Sequence, residues 1–441
     1  MKGKRELSEA GLGYVMVLPA MVIILVIALY PVMRTFWYSM FDLRLNNPIK
    51  SSTHLDYKFD LENYLGQQFY ISNTMRQLES SLSEENKGIV PEIKQELAGL
   101  NAQLQKIPAI SSRYDKAKAL VDKIKPVSDE DLRYAELGKA DAEAFLSSLN
   151  GIQGRLEEVS KKKGDPADQA AGLMEELKIS VLKPNFIGFK NYTDLFGELK
   201  ITNGETGRLG KSLVNTFGFT VISVFLELLI GLFFALGINK SFKGRGLARA
   251  CMLIPWAIPT AVSAMMWNFL YDGQNGVVSA GIAAIGLAQN PGVLLSSKTG
   301  AFFSVIMADV WKTTPYMALL LLAGLQTISG DLYEAGQIDG ASTVKKFFSI
   351  TLPLLKPTIL VALLFRTLDA FRVFDLIFVL TGGGPANSTE SIAIYAYKTM
   401  FSQMDFGKGS TLSIIVFLCI AVISIIYIRI LGKDSLLGQE G

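Results

Sequence analysis

Charged residues interrupt a stretch that is otherwise apolar enough to lie in a membrane. Arg366, Asp369, Arg372 and Asp375 follow one another at intervals of three within the apolar run of about residues 357–380. Ionisable groups are costly in hydrocarbon, so such residues mark either contacts to a polar solute or networks of mutual pairing. On a helix each of these side chains can reach the next. The sequence therefore predicts ion pairing along this helix and leaves both roles open.

Glu227 is an isolated acidic residue in another apolar run, at about residues 212–238. A lone carboxylate in a membrane helix needs a partner or water. We therefore expect Glu227 to pair with a basic group of the 357–380 run or to face a polar cavity.

Residues suited to catalysis or metal binding are scarce. The one histidine, His54, lies in a polar segment, and Cys251 and Cys419 lie in apolar runs, so neither a disulfide framework nor a metal site is expected. The segment at 204–212 resembles a phosphate-binding loop, but Glu205 stands where the motif needs glycine. We expect no catalytic residue, no cofactor and no ATP site in this chain.

Six apolar runs are long enough to position these groups across a membrane. The chain has 441 residues, is 50% hydrophobic and has a mean hydropathy of +0.32, which is too apolar for an ordinary soluble protein. Each run reaches or approaches the ~20 residues that a helix needs to cross ~30 Å of hydrocarbon. Pro255 and Pro259 predict a break in the third run. The runs lie at about 14–32, 212–238, 247–271, 301–328, 357–380 and 410–431.

A charge-rich segment interrupts this apolar pattern. Residues 42–205 hold 22 Lys and Arg against 26 Asp and Glu, whereas the other 277 residues hold 21 and 14. Apolar residues recur at intervals of three and four in 93–107 and 146–159, which is typical of helix seams of the coiled-coil type. Prolines at 108, 126 and 166 mark breaks. The sequence predicts an inserted module of two to four helices, packed as an antiparallel hairpin or bundle.

The distribution of basic residues predicts the orientation in the membrane, because cytoplasmic loops carry an excess of Lys and Arg. Six spans with both termini inside bring all the basic clusters to one side and place residues 42–205 outside. The net charge of +3 is small and gives no indication of nucleic-acid binding. The clusters are Lys2, Lys4 and Arg5; Lys240, Lys243, Arg245 and Arg249; Lys345, Lys346 and Lys356; Arg429 and Lys433.

The loop before the fifth run carries a motif. Its sequence from 334 to 357 is EAGQIDGASTVKKFFSITLPLLKP, and its spacing resembles the EAA loop of permease subunits in ATP-binding-cassette (ABC) importers. The resemblance implies that the loop at 331–357 is a coupling helix that docks on a separate ATPase subunit. The docking positions that it implies are Glu334, Ala335, Asp339, Gly340, Ala341 and Phe347.

Three further segments resemble carbohydrate permeases of the maltose/trehalose type. They are F-x-G-x-x-N-Y at 186–192, the 311–328 segment ending A-G-L-Q-x-I, and the 371–385 segment ending T-G-G-G-P. In that family the substrate lies midway across the membrane, between the fourth and fifth helices. Carboxylates, cationic donors and a tyrosine ring suit a sugar. The residues that the resemblance places there are Asp309, Lys312, Thr313, Tyr316, Arg366, Asp369 and Val373.

The resemblance covers about 300 residues, namely the first span and everything after residue 185, and leaves the charge-rich segment between them as an insertion. It implies a complete organisation. Residues 1–41 form a cytoplasmic tail and the first span, 42–185 an external helical insertion, and 186–441 a permease core with five spans. The fold class is an all-α polytopic membrane protein, a type I ABC importer permease. The resemblance also implies that the protein lies in the lipid of the cytoplasmic (inner) membrane of a prokaryote. The implied partners are a second homologous permease, two ABC ATPase subunits and an extracytoplasmic sugar-binding protein.

Two alternatives remain open. Arg366, Arg372 and Lys312 fit a permease for glycerol phosphate or another anionic solute. A transmembrane sensor with an external helical domain explains the first two spans. A sensor also requires a long cytoplasmic signalling helix after the second span, and four more apolar runs follow there instead.

Overall fold

The computed structural model describes residues 9–82, 88–160, 162–199, 201–202 and 205–437. The chain divides into two compact units. We call Met1–Phe36, Lys190–Gln403 and Lys408–Gly441 the span unit, and Trp37–Phe189 with Met404–Gly407 the helical unit. The predicted insertion at 42–185 lies within the helical unit. Lys2, Lys4 and Arg5 lie outside the described residues.

The first span is longer than the predicted run. It consists of α1 (Glu9–Ile24), a π-helical turn (Leu25–Leu29) and α2 (Tyr30–Ser39), and its apolar part covers Tyr14–Ser39. The apolar side chains from Tyr14 to Tyr30 are exposed. An apolar surface of this kind suits contact with lipid.

The helical unit consists of helices and three short strands. Their bounds are 3₁₀ turn Pro48–Lys50, β1 Lys58–Asp60, α3 Leu61–Ser81, α4 Ile89–Gln105, α5 Pro108–Val121, α6 Glu130–Arg133, β2 Tyr134–Glu136, α7 Lys139–Val159, α8 Pro166–Lys178 and β3 Val181–Leu182. The antiparallel sheet has the order β2-β1-β3, with Phe59 opposite both Ala135 and Val181.

The helix boundaries in this unit follow from local signals. The Asp60 carboxylate accepts a hydrogen bond from the Asn63 amide (3.1 Å) and so caps α3. Asp165 caps α8 in the same way through the Asp168 amide (2.8 Å), and Pro166 occupies the first helical position. Pro108 likewise begins α5. The predicted breaks at 108 and 166 are therefore confirmed.

One apolar core joins both predicted seams. Ile93 and Leu100 of α4 and Leu149, Ile152 and Leu156 of α7 are buried in it. α7 packs mainly along α8, and α4 along α5 and α3, so the seams build a bundle and not a two-stranded coiled coil. The described part of the unit contains six helices, α3 to α8, so the predicted number of two to four is wrong. The short strands were not predicted, because two or three residues are too few to show strand alternation.

The span unit continues from α9 to the end of the described chain. Its elements are α9 Lys190–Gly197, β4 Ile201–Thr202, β5 Glu205–Thr206, α10 Arg208–Asn239, α11 Arg245–Ala257, α12 Thr260–Leu270, α13 Val277–Ala284, α14 Val293–Ser296, α15 Lys298–Leu325, α16 Gly330–Ile338, α17 Thr343–Lys346, a π-helical turn Phe347–Thr351, α18 Leu352–Phe371, α19 Asp375–Leu380, α20 Ile392–Tyr397, a π-helical turn Lys398–Ser402 and α21 Phe406–Leu437.

Within the described residues, five helices are long and apolar enough to cross a membrane, and a sixth span results if the bent pair counts as one. The pair is α11 and α12, which meet at 89°. The break falls between Ala257 and Thr260, where Pro259 has no N–H to continue the helix. The predicted break in the third run is therefore confirmed. Lys211 and Ser212 of the phosphate-loop resemblance lie in the first turns of α10, and Gly204 lies outside the described residues.

The fifth run does not form the single helix predicted at 357–380. α18 ends at Phe371, and α19 begins only at Asp375. Neither proline nor glycine occurs in between, so the sequence carries no break signal. The break is supported by distant groups instead: the Ser391 hydroxyl donates to the Val373 carbonyl oxygen (3.0 Å), which has left the helical ladder.

Candidate functional site

Arg366 lies at the centre of a buried ion network that joins three helices. From α18 its guanidinium donates to Glu227 of α10 (Nη2 to Oε1, 2.9 Å), to Asp309 of α15 and to Asp369 one turn further along α18 (Nη1 to Oδ2, 3.1 Å). The side chains of Arg366, Glu227 and Asp309 are 2%, 0% and 7% exposed. Glu227 therefore pairs with the fifth run, as the sequence predicted.

The second predicted pair along α18 also forms. Arg372 Nη2 lies 3.3 Å from Asp369 Oδ1, so Asp369 bridges Arg366 and Arg372. The series stops there because Asp375 begins the separate helix α19, and no ion pair joins it to Arg372.

A cavity of about 530 Å³ opens beside this network. This volume lies in the range of small-molecule sites, which combine apolar walls with a few placed polar groups. Here the polar wall carries carboxylates, cations and threonine hydroxyls, and the other walls carry indole, phenyl and aliphatic groups. The lining residues are Trp256, Ala257, Ile258, Pro259, Thr260, Asp309, Lys312, Thr313, Arg366, Asp369, Arg372, Val373, Phe374, Asp375 and Leu376.

Lys312 binds the backbone at the break in the third span. Its ammonium group donates to the carbonyl oxygens of Ile258 and, at 3.4 Å, of Trp256. These carbonyls lie where α11 ends, so they lack the N–H partners that a continuing helix provides. A cation at this end of a helix also complements the helix dipole. Lys312 therefore holds the break against α15.

The structure brings six of the seven predicted substrate residues to one cavity: Asp309, Lys312, Thr313, Arg366, Asp369 and Val373. Tyr316 is not among the lining residues. Its ring stacks instead on the indole of Trp256, with centroids 5.6 Å apart and planes at 13°.

Trp256, Arg372 and Asp375 also line the cavity but were not predicted to bind substrate. The sequence signalled a break around Trp256 but not which helix the break faces. Arg372 and Asp375 were recognised as charged residues of one helix, and the break at 372–374 that turns them to the cavity had no sequence signal.

The predicted coupling loop contains two short helices, α16 and α17. α16 ends in a Schellman motif, because the Gly340 amide donates to the Gln337 carbonyl (3.1 Å) and the Ala341 amide to the Gly336 carbonyl (2.8 Å). Gly340 has a φ of +71°, which favours glycine. The Ser342 hydroxyl then caps α17 by accepting from the Lys345 amide.

The surface of this loop is exposed and partly apolar. Ile338 is 87% exposed, and Val344 and Phe348 are also exposed. Among the predicted docking positions, Phe347 and Ala341 are half-buried, whereas Glu334, Ala335, Asp339 and Gly340 are exposed. Exposed apolar side chains within a charged loop are typical of a protein interaction site.

Comparison with known proteins identifies the family. Residues 227–433 match the family described as binding-protein-dependent transport system inner membrane component. The trehalose/maltose transport system permease protein MalF of Thermococcus litoralis is 46% identical over 245 residues, which cover 56% of this chain and 79% of that protein. The chain therefore belongs to this family of ABC importer permeases.

Other relatives and a solved structure show the same kind of similarity. The trehalose permease SugA of Mycobacterium tuberculosis is 41% identical, covering 51% of this chain and 70% of that protein. The sulfoquinovosyl glycerol permease SmoG of Agrobacterium fabrum is 38% identical, covering 57% and 79%. A crystal structure of a bacterial ABC importer of alginate matches with 23% identity and a TM-score of 0.49, over 56% of this chain and 84% of that one.

Proposed function

We propose that this chain moves a neutral di- or oligosaccharide across the cytoplasmic membrane, by alternating access driven by a separate ATPase subunit. The observation that carries the proposal is the 530 Å³ cavity, whose hydroxyl-bonding groups have mutually compensated charges. The names of two relatives, for trehalose/maltose and for trehalose, support a disaccharide of this class.

The charge balance of the cavity favours a neutral solute. Its lining includes three cations, Lys312, Arg366 and Arg372, and three carboxylates, Asp309, Asp369 and Asp375. Arg366 is held by three carboxylates and Lys312 by two carbonyls, so neither is a vacant anion site. Lysine, arginine and aspartate side chains that are already paired can still form hydrogen bonds with the hydroxyl groups of a solute.

An anionic solute is the second candidate, and one observation favours it. The Arg372 side chain is 69% exposed and shares Asp369 with Arg366, so this cation is the most available for an anion. The relative named for sulfoquinovosyl glycerol supports the same candidate.

We propose that the loop at 331–357 docks on the ATPase subunit through Glu334, Ala335, Asp339, Gly340, Ala341 and Phe347. The exposed apolar side chains beside them, of Ile338 and Val344, suit an apolar cleft on that partner. The same proposal includes a second permease subunit and an external sugar-binding protein, and the binding-protein dependence in the family description supports the latter.

The proposed topology places both termini in the cytoplasm and residues 42–205 outside. Basic residues at 240–249, from the end of α10 into the start of α11, and at 345–356, in the coupling loop, support it. These two segments lie on one side only if the bent pair α11–α12 crosses the membrane once, followed by α15 crossing back. If the pair were re-entrant, the two basic segments would lie on opposite sides of the membrane. The charge pattern therefore favours a broken span.

Uptake into proteoliposomes that contain the complete importer tests the proposal. We expect ATP-driven uptake of trehalose and weak competition by glycerol 3-phosphate. Asp369→Asn should lower uptake several-fold at unchanged protein level, whereas the control Glu143→Gln, 60% exposed in the helical unit, should not. Competition by glycerol 3-phosphate at trehalose-like concentrations supports the anionic candidate instead.

We propose that the helical unit presents a mixed-charge surface to the binding protein. The alternative is that it only braces the outer face of the importer. Deleting residues 50–180 and joining the ends with a short Gly/Ser linker separates the two. Our proposal requires a several-fold rise in the half-saturating concentration of binding protein, because rim charges govern capture. An unchanged value leaves only the bracing role.

A further inference from the structure

Trp256 presents an aromatic ring to the cavity at a position that sequence reasoning did not select. We propose that the indole of Trp256 is the platform on which the translocated sugar stacks one ring face. This inference rests on the proposed function and adds to it the residue that recognises the sugar ring.

The geometry leaves one face of the indole for a ligand. Tyr316 stacks on Trp256 with ring centroids 5.6 Å apart and planes at 13°, an offset arrangement that covers part of one face. Trp256 nevertheless remains 49% exposed and lines the cavity. The face opposite Tyr316 is therefore the one that the cavity offers.

A sugar ring matches the two kinds of wall that meet here. A pyranose has C–H groups over one face and hydroxyl groups around its edge. The electron-rich face of an indole attracts polarised hydrogens such as those C–H groups. Asp369 and Thr313 line the same cavity, so the hydroxyl edge can reach hydrogen-bonding partners while the ring face lies on the indole.

The platform is held in place before any sugar arrives. Lys312 donates to the carbonyl oxygens of Trp256 and Ile258, and Tyr316 supports the ring from behind. Pro255 and Pro259 further restrict the backbone on both sides. A preorganised contact costs less ordering entropy on binding. Lys312 and Tyr316 are thus positioning residues that act through Trp256.

Binding of trehalose, followed by saturation-transfer NMR on the complete importer in lipid nanodiscs, tests the assignment. Trp256→Leu should weaken binding roughly fivefold to tenfold, since an aromatic stacking contact has that range of effect. Trp256→Phe keeps an aromatic face and should stay within about twofold of the original affinity. Trp37→Leu is the matched control, because Trp37 is 42% exposed and does not line the cavity. Sorbitol, an acyclic polyol, should compete poorly.

Indole fluorescence gives a second readout, which uses the phenylalanine variants of Trp256 and of Trp37. Trehalose should change the emission of the original protein and of Trp37→Phe, but not that of Trp256→Phe. Equal trehalose affinity in Trp256→Leu, or a retained response in Trp256→Phe, overturns the platform and leaves the sugar function standing. If the original protein shows no trehalose signal by either method, the sugar function fails and the platform fails with it.

Discussion

Arg366 of the span unit is paired with three carboxylates and Arg133 of the helical unit with two, and their surroundings differ. Arg133 lies 2.8 Å from Asp60 and 2.7 Å from Glu62, and its side chain remains 35% exposed. Arg366 pairs with Glu227 and Asp309 at 2% exposure. The same ion triad therefore stands at a wet surface in one unit and inside a helix interface in the other.

The difference in burial changes what each triad does. A buried ion pair gains little net stability, because desolvation offsets the attraction, but removing one partner leaves an uncompensated charge. We therefore expect the Arg366 triad to fix the register of α10, α15 and α18 more than it adds stability. In the Arg133 triad only Asp60 is buried, whereas Arg133 and Glu62 keep part of their hydration at 35% and 25% exposure, so its loss is cheaper.

The largest expected effect is that of Arg366→Gln. Glu227 and Asp309 would remain buried without a cation, which costs about 3–5 kcal/mol. We expect a large loss of folded protein in membranes and a lower thermal unfolding midpoint in detergent. Arg372→Gln, directly after the same helix, is the matched control, since its side chain is 69% exposed, and it should change the midpoint little.

A double variant tests whether the instability comes from buried carboxylates without a cation or from the loss of the arginine side chain itself. Adding Glu227→Gln to Arg366→Gln removes one of the stranded charges and should recover part of the folded yield. Wild-type stability of Arg366→Gln, or no recovery in the double variant, would contradict the register role of this network.

The next effect concerns Arg133→Gln. We expect a loss of about 1 kcal/mol, because Arg133 and Glu62 remain partly solvated in the folded state. Hydrogen exchange of peptides covering 58–64 and 130–137 in the full-length protein measures it locally. A loss as large as that of Arg366→Gln would show that burial is not what separates the two triads.

His54 provides a titration inside the helical unit. It is 3% exposed, its Nδ1 has no hydrogen-bond partner among the described residues, and burial, with Lys58 nearby, lowers the pKa of its imidazole below 6.5. The folded state thus prefers the neutral ring, so stability is complete above pH 6.5 and falls as pH drops from about 6.5 toward the folded pKa.

Exchange rates of the 52–64 segment, corrected for intrinsic pH dependence, should rise over this window. His54→Gln cannot titrate and should remove the dependence. The same pH slope in His54→Gln would assign it to another group.

The sequence predicted those features of the molecule in which a local pattern of residues determines the local structure. The third span is broken at Pro259 as predicted, helices begin at Pro108 and Pro166, and Glu227 pairs with Arg366 of the fifth run. Six of the seven predicted cavity residues also came together. These features depend on spacing along one element or on a motif with fixed geometry.

The features that the sequence missed depend on contacts between distant segments. The break at 372–374 has no proline or glycine and is supported by Ser391, which lies 18 residues from Val373. Trp256, and not Tyr316, lines the cavity, and it lies at the end of α11 that a lysine of α15 binds from a distant part of the chain. The three short strands of the helical unit pair residues as far apart as Phe59 and Val181. No local periodicity reports such pairings.

The smallest expected effect completes the series of ion pairs. Lys94 lies 2.5 Å from Glu79, but the two side chains are 42% and 49% exposed, so water and salt screen the pair in both the folded and the unfolded state. Lys94→Gln should therefore change the stability of the helical unit by less than about 0.5 kcal/mol. Exchange of peptides in 71–82 and 89–105 at low and high salt measures this, with Lys139→Gln, whose pair with Glu143 is more exposed, as control. A loss above about 1 kcal/mol that persists at high salt would mean that geometry, and not exposure, sets the strength of ion pairs in this protein.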